Sequence, residues 1–293
     1  MKVLITGDAG FIGSHLWRRL EHAAELTGCD LKNGEDCRDF FRSNDEHFDL
    51  VFHCAATVGG RVGIDENAAL LGANNFQLDG ALFEWALHTR PGRVVYFSSA
   101  AAYPTWPQNR ARPIRMPESI IRLDHYSGAP DESYGWAKLM GEMVAQRVRK
   151  AGVPVTVVRP FSSYGFDQEE ADYPFPAIIR RVARHDDPLT VWGDGTQVRD
   201  WIHVEDLVSA LLVLVDAEVD GPVNLGTGIG TTIDQLARIC MRRAGYEAPI
   251  EYLTDKPVGV HYRVCDNTLL RKYFEPQITI KEGVRRALEA VSV

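Results

Sequence analysis

The amino-acid sequence predicts an α/β protein built on a doubly wound parallel sheet, with a smaller C-terminal substrate-binding lobe. Three features of the chain predict it. Apolar runs of strand length, "VLIT", "DLVFHCAA", "RVVYFSS" and "VPVTVVRP", recur with helical stretches between them, as in sheets whose strands are buried on both faces. Gly7, Gly10 and Gly13 fall between the first of these runs and a stretch that repeats Phe11, Ile12, Leu16 and Leu20 at helical spacing, which marks a first strand-turn-helix unit. From about residue 163 the alternation gives way to Pro, Gly and aromatic residues in "YGFDQEEADYPFP" and "VWGDGTQVRDW". That break marks a lobe laid over the C-terminal edge of the sheet, where ligands bind in open α/β folds.

Composition bounds the class. The 293 residues are 45% hydrophobic, ample for one large domain or two lobes. A formal net charge of -8 argues against general binding to nucleic acid or anionic membrane and leaves room for a local basic pocket. Cys29, Cys37, Cys54, Cys240 and Cys265 include no C-x-x-C pair, so a reducing cytoplasm is expected, without a disulfide framework or a metal site. Neither a basic leader nor an apolar run near the roughly 18 residues of a membrane span is found, so no signal peptide or anchor is expected.

The elements follow in order. Val3, Leu4 and Ile5 make the first buried strand, and a helix is expected over about 11–21. Glycine in the turn between them allows positive φ and lets a phosphate approach backbone N–H groups at the helix start. "ELTGCD" reads as a second strand closed by Asp30, 17 residues beyond Gly13, where a carboxylate accepts from an adenosine ribose and repels a 2′-phosphate. NAD is therefore expected over NADP. Few residues separate Asp30 from Asp36, whereas a parallel crossover takes about a dozen or more. The second crossover helix is thus expected to be missing, with residues 35–37 a vestigial strand or a loop. Further helices are expected over about 66–89, 133–150, 174–185, 204–216 and 232–244. The division expected is a dinucleotide-binding part, 1–162 and 197–227, and a substrate lobe, 163–196 and 228–293.

"SYGWAKLMGE" sets Tyr134 and Lys138 one turn apart on a helix face, with Asp131 or Ser133 available as the cap. A phenol titrating near about 10 is a poor base at neutral pH. A nearby ammonium and an oxidised nicotinamide ring favour phenolate and bring it toward the working range. Ser98 and Ser99 end the "RVVYFSS" strand at the same sheet edge and supply a hydroxyl to orient a substrate oxygen.

Taken together, these segments resemble the extended short-chain dehydrogenase/reductases, and within them the NAD-dependent epimerase/dehydratase group acting on nucleotide-activated sugars. The likeness runs nearly end to end: the glycine turn, Asp30, "EDCRD", "FHCAA", Asn75, "FSS", Tyr134 with Lys138, "RPFSSYG", "WGDGTQVRDWIHVEDL", "VNLGTG" and "YRVCD". It implies a Rossmann fold, NAD as cofactor, and a UDP-, GDP- or dTDP-linked sugar as substrate. Ser99, four residues before Tyr103, would be the catalytic hydroxyl, Tyr134 the acid/base, and Lys138 the pKa modifier and ribose contact. Asp36 and Cys37 would flank the adenine. Gly7, Gly10, Phe11, Ile12, Gly13, Cys54, Ala55, Ala56, Asn75, Ser98 and Phe161 would surround the rest of the cofactor. Thr57, Ser162, Trp192, Arg199 and Arg263 would meet the sugar nucleotide, the two arginines at its diphosphate. The resemblance also implies a homodimer through the helices at 66–89 and 133–150.

Relatives that dehydrate the sugar carry Asp-Glu directly after the Ser/Thr. Those that decarboxylate carry Glu at the second position, and those that epimerise carbons 3 and 5 carry Cys there. Here the two positions hold Ala100 and Ala101, which have no proton to give. The simplest outcome is a 4-ketone that takes its hydride back on the other face, a 4-epimerisation. "TVGGRVG", with Arg61 set to reach the substrate, resembles the glycine pair of GDP-sugar 3,5-epimerases, so that reaction stays open, as do a net oxidoreductase and a non-catalytic dinucleotide sensor. The stretch between Ser99 and Tyr134 is longer than in simple 4-epimerases and carries Arg110, Arg112, Arg115 and Arg122. An exposed loop is expected there over a lid closing on an acidic sugar. Ser162 stands where the family usually has Asn.

Overall fold

A computed structural model describes residues 1–168 and 173–291. Its first half runs β1 (Lys2–Thr6), α1 (Phe11–Leu20), β2 (Glu25–Cys29), α2 (Cys37–Ser43), β3 (Leu50–His53), α3 (Arg61–Glu66), α4 (Ala68–Thr89), β4 (Arg93–Phe97), α5 (Glu132–Lys150) and β5 (Val155–Pro160). Its second half runs β6 (Ser162–Tyr164), α6 (Pro174–Ala183), β7 (Leu189–Trp192), β8 (Val198–His203), α7 (Val204–Asp216), β9 (Val223–Leu225), β10 (Gly230–Thr232), α8 (Ile233–Ala244), β11 (Ile250–Leu253), β12 (Tyr262–Arg263) and α9 (Ile280–Val291).

Six strands make the main sheet in the order β2-β1-β3-β4-β5-β9, every neighbouring pair parallel. Alternate side chains enter two separate cores. Ile5, Val95 and Val158 pack against Leu16 of α1 and Leu207, Leu211 and Leu214 of α7. Leu4, Val51, Val94 and Val155 pack against Leu82 and Phe83 of α4 and Ala145 and Val148 of α5. Helices on both faces explain why these strands read as unbroken apolar runs. The doubly wound sheet is therefore the one expected. Its strand order reverses between β1 and β3, which opens a crevice at their carboxyl ends.

The smaller lobe holds the sheet β10-β8-β12 with β6 added along β8, a separate β7–β11 pair, and a core of Phe175, Ile179, Leu236, Val284 and Leu288 from α6, α8 and α9. β8 pairs within this small sheet, while α7 directly after it packs on the large one. Residues 169–172, inside the "YGFDQEEADYPFP" stretch, and 292–293 lie outside the described residues.

One expectation is corrected. A crossover helix is present between β2 and β3: α2, seven residues long. The Oδ1 atom of Asp36 caps it, accepting from the Arg38 amide at 2.9 Å. The helix carries the chain from the edge strand β2 back past β1 to β3. Residues 35 and 36 are loop and Cys37 opens the helix, so no vestigial strand forms there. Helices α3 and α9 are additions to the expected set.

Candidate active site

The dinucleotide end of the crevice is built by close approach of backbone. Gly7 has φ +73°, and a Cβ on it would stand 2.6 Å from the Ala55 amide nitrogen; a Cβ on Gly13 would collide with the Gly7 carbonyl oxygen. Only glycine fits either place. Gly10 begins α1 without a side-chain cap, leaving the first N–H groups of the helix open to an anion. These glycines line a 740 Å³ cavity together with Phe11, Ile12, Asp30, Asp36, Cys37, Cys54, Ala55 and Ala56. Asp30 Oδ1 accepts the Lys32 amide at 2.7 Å, which fixes the carboxylate at the end of β2. Asp36 is held below the usual carboxylate range by its hydrogen bond to Arg38, at 2.5 Å from Nη2. Burial pushes the Cys54 thiol up, so Cys54 is apolar wall and not a nucleophile. A turn closed to any Cβ, an open helix N-terminus and a carboxylate closing β2 fit a dinucleotide.

Below the turn lie Ser98, Ser99, Tyr134 and Lys138, the last three expected from the sequence to carry the proton transfer. Ser98 Oγ donates to Glu142 Oε1 at 2.5 Å, and Arg159, 1% exposed, grips the same carboxylate through Nε at 2.8 Å and Nη2 at 2.7 Å. Ser98 is thereby anchored to the scaffold. Ser99 Oγ accepts the Ala101 amide at 3.1 Å and lies beside the Tyr134 phenol, where it favours the ionised form. Burial outweighs it: with Asp79 adding to the effect, the phenol is pushed up to about 12. Lys138, 1% exposed, lies 3.5 Å from Asp79 Oδ1. With burial the larger effect on Tyr134, the fall toward the working range expected beside an ammonium does not occur in the protein alone. Ser98, Ser99, Ala100, Ala101, Tyr134, Lys138 and Phe161 all line the cavity.

Asn75 does not. It is buried in α4, accepts the Thr57 amide at 3.1 Å, and donates to the carbonyls of Thr57 at 2.7 Å and Leu71 at 2.8 Å. It ties down the loop whose Thr57 does line the cavity.

The far end of the cavity is cationic. Asp131 precedes α5 but makes no capping hydrogen bond; its Oδ1 accepts from Arg61 Nη1 at 3.0 Å and its Oδ2 from Arg263 Nη2 at 2.9 Å. Ser133 donates to the Ala68 carbonyl instead of capping. Gln108 Oε1 accepts from Arg263 Nε at 2.7 Å. Arg199 donates to the carbonyls of Val198 at 2.9 Å and Val258 at 3.0 Å, with no carboxylate partner among the described residues. Burial, then the neighbouring Arg263, push it down to about 9. Asp65 also pairs with Arg61, so the carboxylates of Asp65 and Asp131 answer two of the three guanidinium groups and one positive charge is left where Thr57, Ser162 and Trp192 also face the cavity. The arginine-rich loop stays outside: Arg110 pairs with Asp194 at 3.0 Å, Arg122 with Asp124 at 2.8 Å, and Arg112 and Arg115 are exposed. The roles of Asp79, Asp131 and Gln108 are not visible in the sequence; a lone Asp on the apolar face of a long helix is the one signal that marks Asp79.

Residues 3–226 match the model of the NAD dependent epimerase/dehydratase family. GDP-mannose 3,5-epimerase 1 of Oryza sativa subsp. indica is 28% identical over 315 residues, covering 97% of this chain and 80% of that protein. The dTDP-4-dehydro-6-deoxy-D-allose reductase of Streptomyces bikiniensis is 30% identical over 307 residues, covering 94% and 91%. Among solved structures, UDP-glucose 4-epimerase of Thermotoga maritima is similar with a TM-score of 0.83 and 25% identity, covering 99% of this chain and 98% of that one.

Proposed function

Because the chain belongs to the NAD-dependent epimerase/dehydratase family, we propose that it is a nucleotide-sugar 4-epimerase. The observation that carries this reading is the meeting of Ser99 and Tyr134 in the cavity beside Ala100 and Ala101. Tyr134 takes the proton of the sugar C4 hydroxyl, whose oxygen Ser99 orients. NAD, when bound, supplies the acceptor and donor of hydride. Arg199 and Arg263 hold the diphosphate, so the sugar can turn about its phosphate link while the nucleotide stays fixed. Tyr134 then returns its proton to the inverted alcohol. Among the described residues no imidazole lines the cavity to serve C3, C5 or C6, and Asp131, the carboxylate at the cationic end, is tied to two arginines.

The reading includes the two-part division expected from the sequence, a place in the reducing cytoplasm, which the five unpaired cysteines favour, and a homodimer. No helix among the described residues is long and apolar enough to cross a membrane. Phe76 and Leu87 of α4 and Trp136 of α5, each more than a third exposed, would lie in the dimer seam; a monomer by light scattering contradicts this.

A second reading, 3,5-epimerisation, draws on the glycine loop before α3 and the 28% identity to a GDP-mannose 3,5-epimerase. Purified protein mixed with UDP-, GDP- and dTDP-sugars in deuterated water, without added NAD, separates the readings. Interconversion of C4 epimers with no solvent deuterium on carbon supports ours. Deuterium at C3 or C5 supports the second, and conversion that begins only when NAD or NADH is added and consumes it one for one supports a net oxidoreductase.

A further inference from the structure

Asp79 lies on the buried face of α4 and is 3% exposed. Its Oδ2 accepts the Tyr96 hydroxyl at 2.5 Å. Its Oδ1 makes no hydrogen bond, yet two nitrogens stand over it: Lys138 Nζ at 3.5 Å and His53 Nε2 at 3.4 Å. His53 Nδ1 is 2.8 Å from Thr6 Oγ1, so the ring is fixed from its other side. Thr6, His53, Asp79 and Lys138 therefore form a buried polar chain across β1, β3, α4 and α5 beneath the cavity. The backbone is adapted to it: a Cβ on Gly141, one turn beyond Lys138, would collide with the Tyr96 hydroxyl and stand 3.0 Å from Asp79 Oδ2.

We propose that Asp79 is a positioning residue of the active site, the fixed buried counter-ion that keeps Lys138 charged and aimed at the cavity. This rests on the proposed role of Tyr134 and Lys138 in proton transfer. An ammonium buried without a counter-charge gives up its proton readily, and a buried pair stripped of one partner leaves the other strongly disfavoured. Asp79 is the one carboxylate paired with Lys138 among the described residues. The groups facing Asp79 are His53 from β3, Tyr96 from β4, and Lys138 and Tyr134 from α5, with Glu142 further along α5 acting on Tyr96. Burial lowers His53 and keeps it neutral, so Lys138 is the cation the carboxylate answers. Nothing about the pair needs a motif: Asp79 reaches Lys138 only because α4 and α5 pack side by side.

The test is Asp79→Asn, which keeps an acceptor for Tyr96 and removes the charge. The Nζ signal of Lys138 in nitrogen-15 lysine-labelled protein, assigned by its absence in Lys138→Arg, is followed against pH. The ammonium signal is expected to vanish at lower pH in Asp79→Asn than in the unaltered chain; an unchanged titration overturns the proposal. In turnover, kcat is expected to fall at least tenfold at neutral pH and its alkaline limb to move to lower pH, with KM nearly constant. An even loss of kcat at every pH would instead mark a merely structural role and overturn it. If Asp79→Asn does not fold, the reciprocal measurement decides: the carboxylate of Asp79, followed through its carboxyl-carbon signal, must protonate at higher pH in Lys138→Met than in the unaltered chain, and no difference overturns the proposal. The spectroscopic arms need no substrate. A chain that turns over no sugar nucleotide but shows both shifts contradicts the proposed function and leaves the counter-ion assignment standing.

Discussion

A phenol acts as a base only where its proton can leave, and Tyr134 begins far from that point, pushed up to about 12 by burial and by Asp79. The positive ring of oxidised NAD favours phenolate, so an ultraviolet difference titration of the unaltered chain against Tyr134→Phe should show a midpoint near 12 without cofactor and a lower one with it. A midpoint unmoved by NAD contradicts the role. Turnover in Tyr134→Phe should fall by about 10²–10⁴. At the other end of the cavity, Arg199 has no carboxylate partner among the described residues, so on the proposed reading a diphosphate would meet a cation not yet answered. Arg199→Ala should weaken UDP binding by about 1.5–3 kcal/mol, the range of hydrogen bonds to charged groups, while calorimetry that finds the affinity unchanged rejects the contact. Tyr134, Lys138 and the glycine turn are legible because local spacing alone creates them. Asp131 is not: it precedes a helix, as a cap does, but Arg61 and Arg263 reach it from 70 and 132 residues away and take both oxygens. Asn75 likewise turns to the Thr57 loop rather than to the cavity.

Helices and strands were readable to the extent that their signals are local. In α8 the Thr232 hydroxyl accepts from the Gln235 amide while the Gln235 side chain accepts from the Thr232 amide, a reciprocal cap spelled out by T-x-x-Q. The helix α2 escapes the sequence reading because the interval Asp30–Asp36 is taken as the whole crossover while the helix starts only at Cys37, and β6, β10 and β12 escape it because two or three residues carry no alternation. The start of α7 has a testable property. His203, 2% exposed, caps it by accepting the Glu205 amide at 3.3 Å, and burial lowers the imidazole to about 4. A histidine lowered in the folded state contributes stability that is present above its unfolded value of 6.5 and is lost as pH falls from there toward 4. His203→Asn retains a capping acceptor without the titration. Urea unfolding at pH values across that window should show a shallower acid loss in the variant; equal slopes would mean that His203 does not carry the linkage.

At the scale of the whole molecule, the doubly wound sheet follows from apolar runs long enough to be buried on both faces, and the carboxyl-edge crevice follows from the strand order. What closes that crevice does not follow, since the smaller lobe assembles short strands from distant parts of the chain, with β6, β8, β10 and β12 meeting only in the fold. Together the two parts put a dinucleotide turn, a phenol and an unsatisfied cationic end along one 740 Å³ cavity, the order in which a cofactor, a sugar and a diphosphate would lie. On the proposed reading, hydride leaves and returns within that one site. A nucleotide sugar deuterated at C4 tests this most directly: the C4-inverted product should retain its label when unlabelled NAD and NADH are present in excess. Label lost to the free cofactor pool, or no inverted product from any UDP-, GDP- or dTDP-sugar, would contradict it.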